Sequence, residues 1–415
     1  MDKPVVPAVD PIELASALAS AGPICDRCLG RRLAGLSSGL PNQERGQALR
    51  AASGAPAAAH ETTCWVCQGT FLRAGEWAGK AVQLVAEHEF ATFLFGVHLS
   101  PRQEAVEEFL DERYPSPWAE PFKRDANREL GKAFERLLVE RGRAATVNFD
   151  RPDVQFTVDL ETGAIALTVA PVFFYGRYRK LVRGIPQTHW PCRSCRGRGC
   201  AGCGGTGKQY PTSVEELVLP AFLSATGGTG GHLHGAGRED VDARMLGRGR
   251  PFVVEVKEPR IRTLDLDAMA REVNAAADGK VEVRDLRSGT ADLVARVKEE
   301  HADKKYRARV EFGAAVSEGG FQSALADLVG EIEQRTPVRV RHRRADLVRR
   351  RSVHEVSGRF VSPTEAEVEI LCGGGLYVKE LISGDEGATQ PNLASLLDVP
   401  AKVVELDVLD VLDQF

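Results

Sequence analysis

The sequence predicts an α+β protein with an N-terminal α/β region and a C-terminal domain built around a large, mainly antiparallel sheet. Eight of the nine cysteines fall into four C-x-x-C pairs in the first half of the chain. Between residues 92 and 169, a strand-like run, two helical segments and a hairpin follow one another. After residue 209, helical segments alternate with strand-like runs joined by short connections.

The bulk composition is that of an ordinary globular protein. The chain has 415 residues, of which 43% are hydrophobic and 27% charged, so two or three domains are expected. No apolar run approaches the roughly 20 residues that a membrane-spanning helix needs. The first residues, Met1-Asp2-Lys3-Pro4, lack the basic and then apolar pattern of a secretory signal. We therefore expect a cytoplasmic protein that has no membrane partner.

Positive charge is concentrated in two stretches, although the formal net charge is −4. Residues 177–208 contain eight Lys or Arg and no acidic residue, with Tyr178 and Trp190 among them. Residues 335–359 contain nine Arg and only two acidic residues. Either stretch could be a solvated surface, but basic stretches in a mildly acidic protein are also expected where a partner carries phosphates. From the two together we infer binding to RNA.

The paired cysteines predict metal sites, because disulfides are rare in a reducing compartment. Each C-x-x-C places two thiolates on one tight turn, and two turns complete a tetrahedral Zn²⁺ shell with no open catalytic position. Unligated thiols are the alternative. We predict two structural zinc sites, formed by Cys25, Cys28, Cys64 and Cys67 and by Cys192, Cys195, Cys200 and Cys203. Cys372 stands alone in an apolar run and is expected to be buried.

Local signals predict the N-terminal elements. Asp10-Pro11 is an N-cap followed by a proline at the first helical position. A helix is expected between the first two cysteine pairs, over residues 43–52. The module that follows is predicted as a helix, a strand, two helices and a hairpin, over residues 77–89, 92–97, 102–113, 122–141, 154–158 and 164–169. Aromatic residues alternate with basic ones in the stretch 173–187. From its residues alone, this stretch is predicted to be a basic loop.

The second cysteine set has one alternative interpretation. Pro191-Cys192-x-x-Cys195 is also half of the signature of zinc nucleobase deaminases, which pair it with an upstream H-x-E. None of the four upstream histidines, His60, His88, His98 and His189, is followed by glutamate two residues later. The sequence therefore excludes a deaminase.

The C-terminal half begins with a capping box, Thr212-Ser-Val-Glu215, which predicts a helix and the start of a domain. Helices are then expected over residues 264–277, 321–335 and 376–382. Strands are expected over residues 251–256, 281–286, 306–312, 353–360 and 365–371.

The chemistry is expected on the loop Gly237–Gly247. A glycine-rich segment, residues 226–236, leads into this loop, and the strand 251–256 leads out of it. The loop therefore places Asp240 at a sheet edge beside arginines, where a carboxylate can act as a base or a nucleophile. A surface turn of mixed charge is the alternative, and Asp242 could take the place of Asp240.

Ordered motifs carry a resemblance to a known superfamily. Gly237-Arg238-Glu239-Asp240 resembles the element around the catalytic aspartate of the pseudouridine synthases. Lys304–Ala308 and Gly375–Leu381 resemble two later motifs of that superfamily, in the same order. The arginine-rich segment Arg335–Arg349 resembles a hallmark of one branch, the Pus-ten family of tRNA pseudouridine synthases. Leu376 departs from the usual threonine of the third motif, which affects only pocket packing.

The resemblance implies a fold and a division of the chain. Residues 1–75 would form a zinc-binding segment, 76–187 a THUMP-like RNA-binding domain, 188–208 a zinc knuckle and 209–415 the pseudouridine synthase catalytic domain.

The resemblance also implies an activity, an isomerase that converts uridine to pseudouridine without an organic cofactor. The targets would be the uridines at positions 54 and 55 in the T arm of tRNA, with no obligate protein partner. Asp240 and Lys379 would be catalytic, the lysine keeping the carboxylate ionised. The residues implied to bind the substrate are Tyr306, which would stack on the uracil, Tyr377, Arg238, Arg343 and Arg344.

Two other functions remain open. One is a zinc-dependent RNA-binding factor without catalysis, and the other is a THUMP-linked tRNA methyltransferase or thiolase. The second needs a cofactor loop, and the sequence has neither a G-x-x-x-x-G-K-[ST] loop nor a convincing strand–G-x-G-x-x-G–helix unit. The joint presence of Asp240, Tyr306 and Lys379 favours the enzyme over the bare binder.

Overall fold

The computed structural model describes residues 10–37, 39–343 and 345–415, with only the backbone of His342 and Arg343. The chain forms two compact units, the first ending at Ala170 and the second beginning at Pro171. Among the helices in these ranges, none has the length and apolar character that a membrane span requires.

The first unit contains a four-stranded sheet with the order β2-β1-β3-β4 and six α-helices. Strand β1 is parallel to both of its neighbours, and β3 and β4 form an antiparallel hairpin. The helices are α1 Pro11–Ala21, α2 Asp26–Arg31, α3 Asn42–Ser53, α4 Ala74–Leu84, α5 Pro101–Arg113 and α6 Phe122–Glu140. The strands are β1 Thr92–His98, β2 Thr146–Val147, β3 Val154–Asp159 and β4 Ile165–Val169.

One part of the core of the first unit lies between α6 and one face of this sheet, and the core also includes residues of α1, α2 and α4. Strands β1 and β3 bury every second side chain, which is the pattern of a sheet with one covered face. Phe134 of α6 packs against Phe93, Phe95 and Phe156, with ring centroids 4.9, 5.3 and 5.0 Å away. At the start of the described chain, Asp10 caps α1 by accepting the amide proton of Ile12, as the sequence predicts.

The second unit is built on a ten-stranded sheet with the order β13-β10-β11-β12-β9-β14-β7-β5-β8, in which β6 also pairs with β7. The strands are β5 Val172–Lys180, β6 Gly230–Gly235, β7 Ala243–Lys257, β8 Val281–Gly289, β9 Asp303–Phe312, β10 Gly330–Arg335, β11 Val348–Ser362, β12 Glu365–Cys372, β13 Thr389–Gln390 and β14 Ala401–Leu412. The helices are α7 Val214–Thr226, α8 Leu266–Ala276, α9 Ala291–Glu299, α10 Glu318–Ala326, α11 Val378–Ser383 and α12 Leu393–Leu397.

The α+β fold class is confirmed, and the central sheet is mixed rather than purely antiparallel. Strands β7 and β14 run parallel, whereas the other pairings in this sheet are antiparallel. Two large apolar clusters lie along the sheet, one around β5, β7 and β8 and one around β9 to β12, and a smaller cluster contains Tyr175 and Val253. Tyr306 packs against both large clusters, so it marks the middle of the sheet.

Three local predictions were wrong. The helix expected over residues 321–335 ends at Ala326, and β10 begins at Gly330, whose φ of 127° does not fit a helix. The loop expected over residues 237–247 ends at Asp242, because β7 begins at Ala243 rather than at Pro251. The stretch 173–187, read from its residues as a basic loop, contains most of β5, because its aromatic and basic side chains alternate along a strand.

The boundary between the two units also differs from the predicted division. Residues 171–187 were assigned to the THUMP-like domain, whereas β5 pairs with β7 and β8 in the sheet of the second unit. The helix α7 begins one residue later than the capping box indicated, since Ser213 is its N-cap and accepts the amide proton of Glu216 at 3.2 Å.

Candidate active site and metal centres

A buried lysine of β5 holds the loop of residues 236–242, which connects β6 to β7. Lys180 Nζ donates hydrogen bonds to the backbone oxygens of Asp240 at 3.0 Å, Val241 at 3.3 Å and Ile185 at 2.9 Å. The Lys180 side chain is fully buried. Because three carbonyl oxygens share the three ammonium protons, the backbone of Asp240 is fixed relative to β5.

The carboxylate of Glu239 lies beside this lysine and is also fully buried. Arg250 of β7 donates to it at 2.8 Å, Tyr178 donates its hydroxyl proton at 2.8 Å, and Lys180 Nζ lies 3.7 Å away. Burial raises the pKa of Tyr178 well above its usual value, and the charge of Glu239 raises it further, so the phenol remains a donor. Burial lowers the pKa of Lys180, and Glu239 opposes that effect. Each buried charge therefore has a partner, as burial requires.

Two further contacts connect this network to the start of the loop. Gln187 donates to the Tyr178 hydroxyl at 2.8 Å and to the backbone oxygen of Gly237 at 2.9 Å. Arg250 donates to the backbone oxygen of Ala236. The loop is thus fixed at Ala236, at Gly237 and at Asp240, and the position of the Asp240 side chain follows from buried contacts.

Two cations contact the Asp240 carboxylate. Arg339 Nη1 lies 3.0 Å from its Oδ1 atom, and Lys379 Nζ lies 3.4 Å from its Oδ2 atom. Lys379 lies closer to Asp242, at 2.7 and 2.9 Å from the two carboxylate oxygens. Burial alone would raise the pKa of Asp242, but the hydrogen bonds and charge of Lys379 hold it below its usual value. The lysine is therefore shared between the two aspartates.

Arg339 is held in place by a second carboxylate. Its Nε and Nη2 atoms lie 2.6 and 3.3 Å from the two carboxylate oxygens of Glu380, which is buried. Burial opposes ionisation of Arg339, yet Glu380 and Asp240 together raise its pKa above the usual value. Its guanidinium carbon is 5.9 Å from the ring centroid of Tyr377. Arg339 therefore bridges Asp240 and the segment that carries Tyr377.

Two aromatic rings come from separate elements, Tyr306 from β9 and Tyr377 from the turn before α11. The side chain of Gln334 accepts the amide proton of Tyr377 at 2.9 Å and donates to its backbone oxygen at 3.0 Å, which fixes the turn before α11. Tyr306 lies half-buried on β9. Burial raises the pKa of its phenol, and the negative charges of Asp240 and Glu239 raise it further. The phenol therefore keeps its proton at neutral pH.

The structure brings most of the predicted site residues together. Asp240 contacts both Lys379 and Arg339, and Arg339 lies beside the ring of Tyr377. Tyr306 lies on β9, and the charge of Asp240 contributes to the raised pKa of its phenol. Their roles remain predictions. Arg238 is exposed and makes no hydrogen bond or ion pair with any residue that the structure describes. Arg344 and the side chain of Arg343 lie outside the described part of the chain.

Sequence reasoning did not identify several residues of this site. Arg339 lies in the arginine-rich segment that was assigned to RNA binding, and nothing in the sequence distinguishes it from its neighbours. Lys180 and Gln187 were placed in the adjacent domain. The inward-facing positions Phe174, Tyr178 and Lys180 have the period of a strand, so this pattern could have predicted β5 and the lysine.

The predicted cysteine sets both have the geometry of a metal site. Within each set, the four sulphur atoms lie within 4.8 Å of one another. The Sγ–Sγ distances include 3.8 Å for Cys25 and Cys67 and 3.9 Å for Cys195 and Cys203. Four sulphurs about 2.3 Å from a tetrahedral zinc ion lie about 3.8 Å apart. Both sets can therefore hold a metal ion of this kind.

The surroundings of the two cysteine sets differ. The first set is part of the apolar core of the first unit. In the second set only Cys195 is buried. Backbone amides of Cys200 and Gly207 donate to Cys203 Sγ, both at 3.2 Å, and the amide of Gly199 donates to Cys195 Sγ at 3.2 Å. Such donors stabilise thiolates, so the second set is prepared for a cation by its own backbone.

Comparison with known proteins gives a consistent result. Residues 173–412 match the family described as Pus10, C-terminal, and residues 77–159 match the archaeal Pus10 THUMP domain. The tRNA pseudouridine synthase Pus10 of Halorubrum lacusprofundi is 48% identical over 97% of this chain and 96% of its own length. The proteins of the same name from Methanothrix thermoacetophila and Methanothermobacter marburgensis are 44% and 46% identical, over 97% and 94% of this chain and 95% of each relative.

The buried network makes a prediction about stability. Replacing Lys180 with Met removes the donor to three carbonyl oxygens and one of the cations beside Glu239. Removing one partner of a buried ion pair costs about 3–5 kcal/mol, so we expect the free energy of unfolding of the second unit to fall by about 3 kcal/mol or more. Urea-induced unfolding of the full chain, followed by tryptophan fluorescence and circular dichroism, measures this change.

A matched control is Lys402→Met. Lys402 also pairs with a carboxylate, that of Glu311 at 2.8 Å, but its side chain is 70% exposed. Exposed pairs contribute less than about 1 kcal/mol, so this variant should unfold almost like the parent protein. Equal unfolding free energies for the two variants would show that the Lys180 contacts do not stabilise the fold.

Proposed function

This chain belongs to the Pus10 family of tRNA pseudouridine synthases, and on that premise we propose that it isomerises the uridines at positions 54 and 55 of the tRNA T loop with Asp240 as the reacting carboxylate. The protein is an isomerase that acts on tRNA. The observation that carries the proposed site is the contact of Asp240 with Arg339 and Lys379, in a loop fixed by a buried network.

The chemistry needs a carboxylate, an aromatic wall and no redox partner. Pseudouridine formation breaks the N1–C1′ bond, turns the uracil and joins C5 to C1′, after which the C5 proton leaves and N1 becomes protonated. Asp240 acts on the ribose, either by attack on C1′ or by removal of the C2′ proton. Both routes need a nucleophile or base held in place, and the backbone contacts of Lys180 provide this.

The two tyrosines receive the base in this proposal. An everted uracil stacks on Tyr306, and Tyr377 forms the opposite part of the pocket wall. The phenol of Tyr306 keeps its proton at neutral pH, so it can hydrogen-bond to a uracil oxygen while the ring turns. Stacking on an aromatic side chain contributes about 1–3 kcal/mol per base, which offsets part of the cost of removing the uridine from its loop.

Recognition of the T arm is the finer part of the proposal. The archaeal THUMP match over residues 77–159 and the arginine-rich segment 335–349 support binding to folded tRNA outside the pocket. Contacts with the sugar-phosphate backbone fix the register of an RNA but do not read its sequence. The choice of the two adjacent uridines therefore depends on the shape of the loop that these surfaces hold.

Zinc in both cysteine sets is part of the same proposal, with a structural role. Four thiolates complete the coordination shell, so the ion has no position for a substrate or a water. The first set stabilises the core of the first unit, and the second stabilises the knuckle that follows Gln187. Zinc binding then contributes to folding rather than to the reaction.

The identity of the carboxylate has a direct test. Asp240→Asn should lower the rate of pseudouridine formation on a tRNA transcript by at least about 10⁴-fold, because the reacting group is lost. The binding of the RNA should change little. Asp242→Asn is the control, since it removes only the second partner of Lys379 and should stay within about tenfold of the parent rate. Chemical labelling of pseudouridine with primer extension measures both, and an active Asp240→Asn enzyme would refute the assignment.

The target positions are tested with three tRNA transcripts. The parent transcript should carry pseudouridine at both 54 and 55, and transcripts with cytidine at one of these positions should lose only that product. Mass spectrometry of nuclease fragments locates the modification. Pseudouridine outside the T loop would contradict the proposed target, while tight binding without any product would favour a non-catalytic RNA-binding factor.

The metal proposal predicts two zinc ions per chain by elemental analysis. Cys25→Ser should remove one ion and destabilise the first unit strongly, because its cysteines are buried in the core. Cys192→Ser should remove the other ion and leave the first unit folded. If each variant still contains two zinc ions per chain, the assigned ligands are wrong.

A further inference from the structure

Three consecutive arginines of β11 point alternately to the two faces of the sheet. Arg349 pairs with Gln334 of β10, Arg350 pairs with Glu333, and Arg351 pairs with Ile332. Residues directly opposite each other on neighbouring strands share a face. Gln334 and Ile332 are buried, whereas Glu333 is exposed. Arg349 and Arg351 therefore lie on the covered face, and Arg350 lies on the other face.

The covered face is the one that carries the candidate active site. The side chain of Gln334 holds the backbone of Tyr377 on this face. Arg351 lies along the glycine turn before Tyr377, because a Cβ atom on Gly375 would be only 3.2 Å from Arg351 Nε. Arg349 Nη1 donates to Thr336 Oγ1 at 2.8 Å, in the connection that leads to Arg339. The two guanidinium groups thus border the turn that supports the pocket wall.

The same face extends across the sheet to Tyr306. Val353 of β11 faces Cys372, Cys372 faces Lys304 of β9, and Ile370 faces Tyr306. Because side chains two residues apart share a face, the two arginines, Lys304 and the stacking tyrosine lie on one side of the sheet. This arrangement is a basic border beside an aromatic ring.

The charge balance differs between the two faces. Arg350 has two carboxylate partners, Glu331 at 3.3 Å and Glu333 at 3.6 Å. Among the residues that the structure describes, Arg349 and Arg351 have no carboxylate partner, and their hydrogen bonds go to neutral oxygens. The Nε atom of Arg351 is buried and has no hydrogen-bond partner within the described ranges of the chain. Half-buried cations without a counter-charge are unfavourable unless an anion binds to them.

We propose that Arg349 and Arg351 form a phosphate subsite, which binds a phosphodiester of the RNA strand next to the everted uridine. The proposal rests on the proposed function and adds a named contact to it. A guanidinium presents paired N–H donors that match phosphate oxygens, and arginine loses less hydration than lysine when it does so. The uracil itself is neutral, so the two guanidinium groups bind the phosphate backbone of the RNA rather than the base.

The test compares three full-length variants, Arg349→Met, Arg351→Met and Arg350→Met, each of which keeps an unbranched side chain for packing. The affinity for a T-arm RNA hairpin should fall at least about tenfold for the first two, because each loses a charged hydrogen bond. The slope of log affinity against log salt should become shallower by about 0.7 to 0.9. Arg350→Met should stay within about twofold, and Arg351→Lys should recover most of the slope because it restores the charge.

A chemical counterpart locates the phosphate. RNA hairpins with a single methylphosphonate linkage lack one backbone charge each. A methylphosphonate at one linkage beside the target uridine should lower the affinity of the parent protein about as much as Arg351→Met does. The same linkage should not lower the affinity of the Arg351→Met variant any further. Losses that are equal at every linkage, or identical for Arg350→Met and Arg351→Met, would overturn the subsite. An anionic peptide that binds the parent protein better than the RNA does would also overturn it.

Failure of the subsite can be told apart from failure of the proposed function. The Arg349→Met and Arg351→Met enzymes should need at least about tenfold more RNA than the parent to reach half of their maximal rate, because their affinity for the RNA is lower. A parent protein that makes no pseudouridine would refute the proposed function. The affinities of the variants for the RNA hairpin would then decide whether the phosphate subsite exists. A normal parent with unchanged affinity in both variants would refute the subsite alone.

Discussion

The buried carboxylate of Glu239 is the constraint on which the geometry of the candidate active site depends. A carboxylate without exposure to water is unfavourable by several kcal/mol unless its charge and lone pairs are satisfied. Arg250 and Tyr178 satisfy them, with Lys180 nearby. Since Glu239 directly precedes Asp240, the contacts that hold the first side chain inside also fix the second one, which contacts Arg339 and Lys379.

Charge around Asp240 is nearly balanced within the protein itself. Three carboxylates, those of Asp240, Asp242 and Glu380, meet two cations, Arg339 and Lys379. A neutral uracil can enter such a site without leaving a buried charge unpaired. The phosphates of the same nucleotide strand need a different environment, with cations that have no protein counter-charge. Arg339 lies in the connection after β10, whereas Arg349 and Arg351 lie on β11, so one type of side chain meets both needs at separate places.

The two cysteine sets share the C-x-x-C motif but lie in different local environments. In the first set the thiols belong to an apolar core that also contains Leu29 and Trp77. In the second set the segment 191–208 has few apolar residues, and its glycines let the backbone bring amides to the sulphurs. A metal ion would add to an existing core in one case and replace a missing core in the other.

The sequence by itself determined the class of fold, the two sets of cysteines that can hold a metal ion and the segments predicted to carry the chemistry. These features depend on spacing within short stretches, such as C-x-x-C and Gly-Arg-x-Asp, or on the period of buried side chains. The neighbours of Asp240 were decided only by the tertiary structure. Lys180, Glu239, Arg339 and Glu380 meet because β5, the loop before β7, the connection after β10 and α11 converge, and their local sequences do not encode this. A helix was predicted where β10 lies for the same reason, since the pairing of β10 with β11 and β13 stabilises a strand that its own residues do not specify.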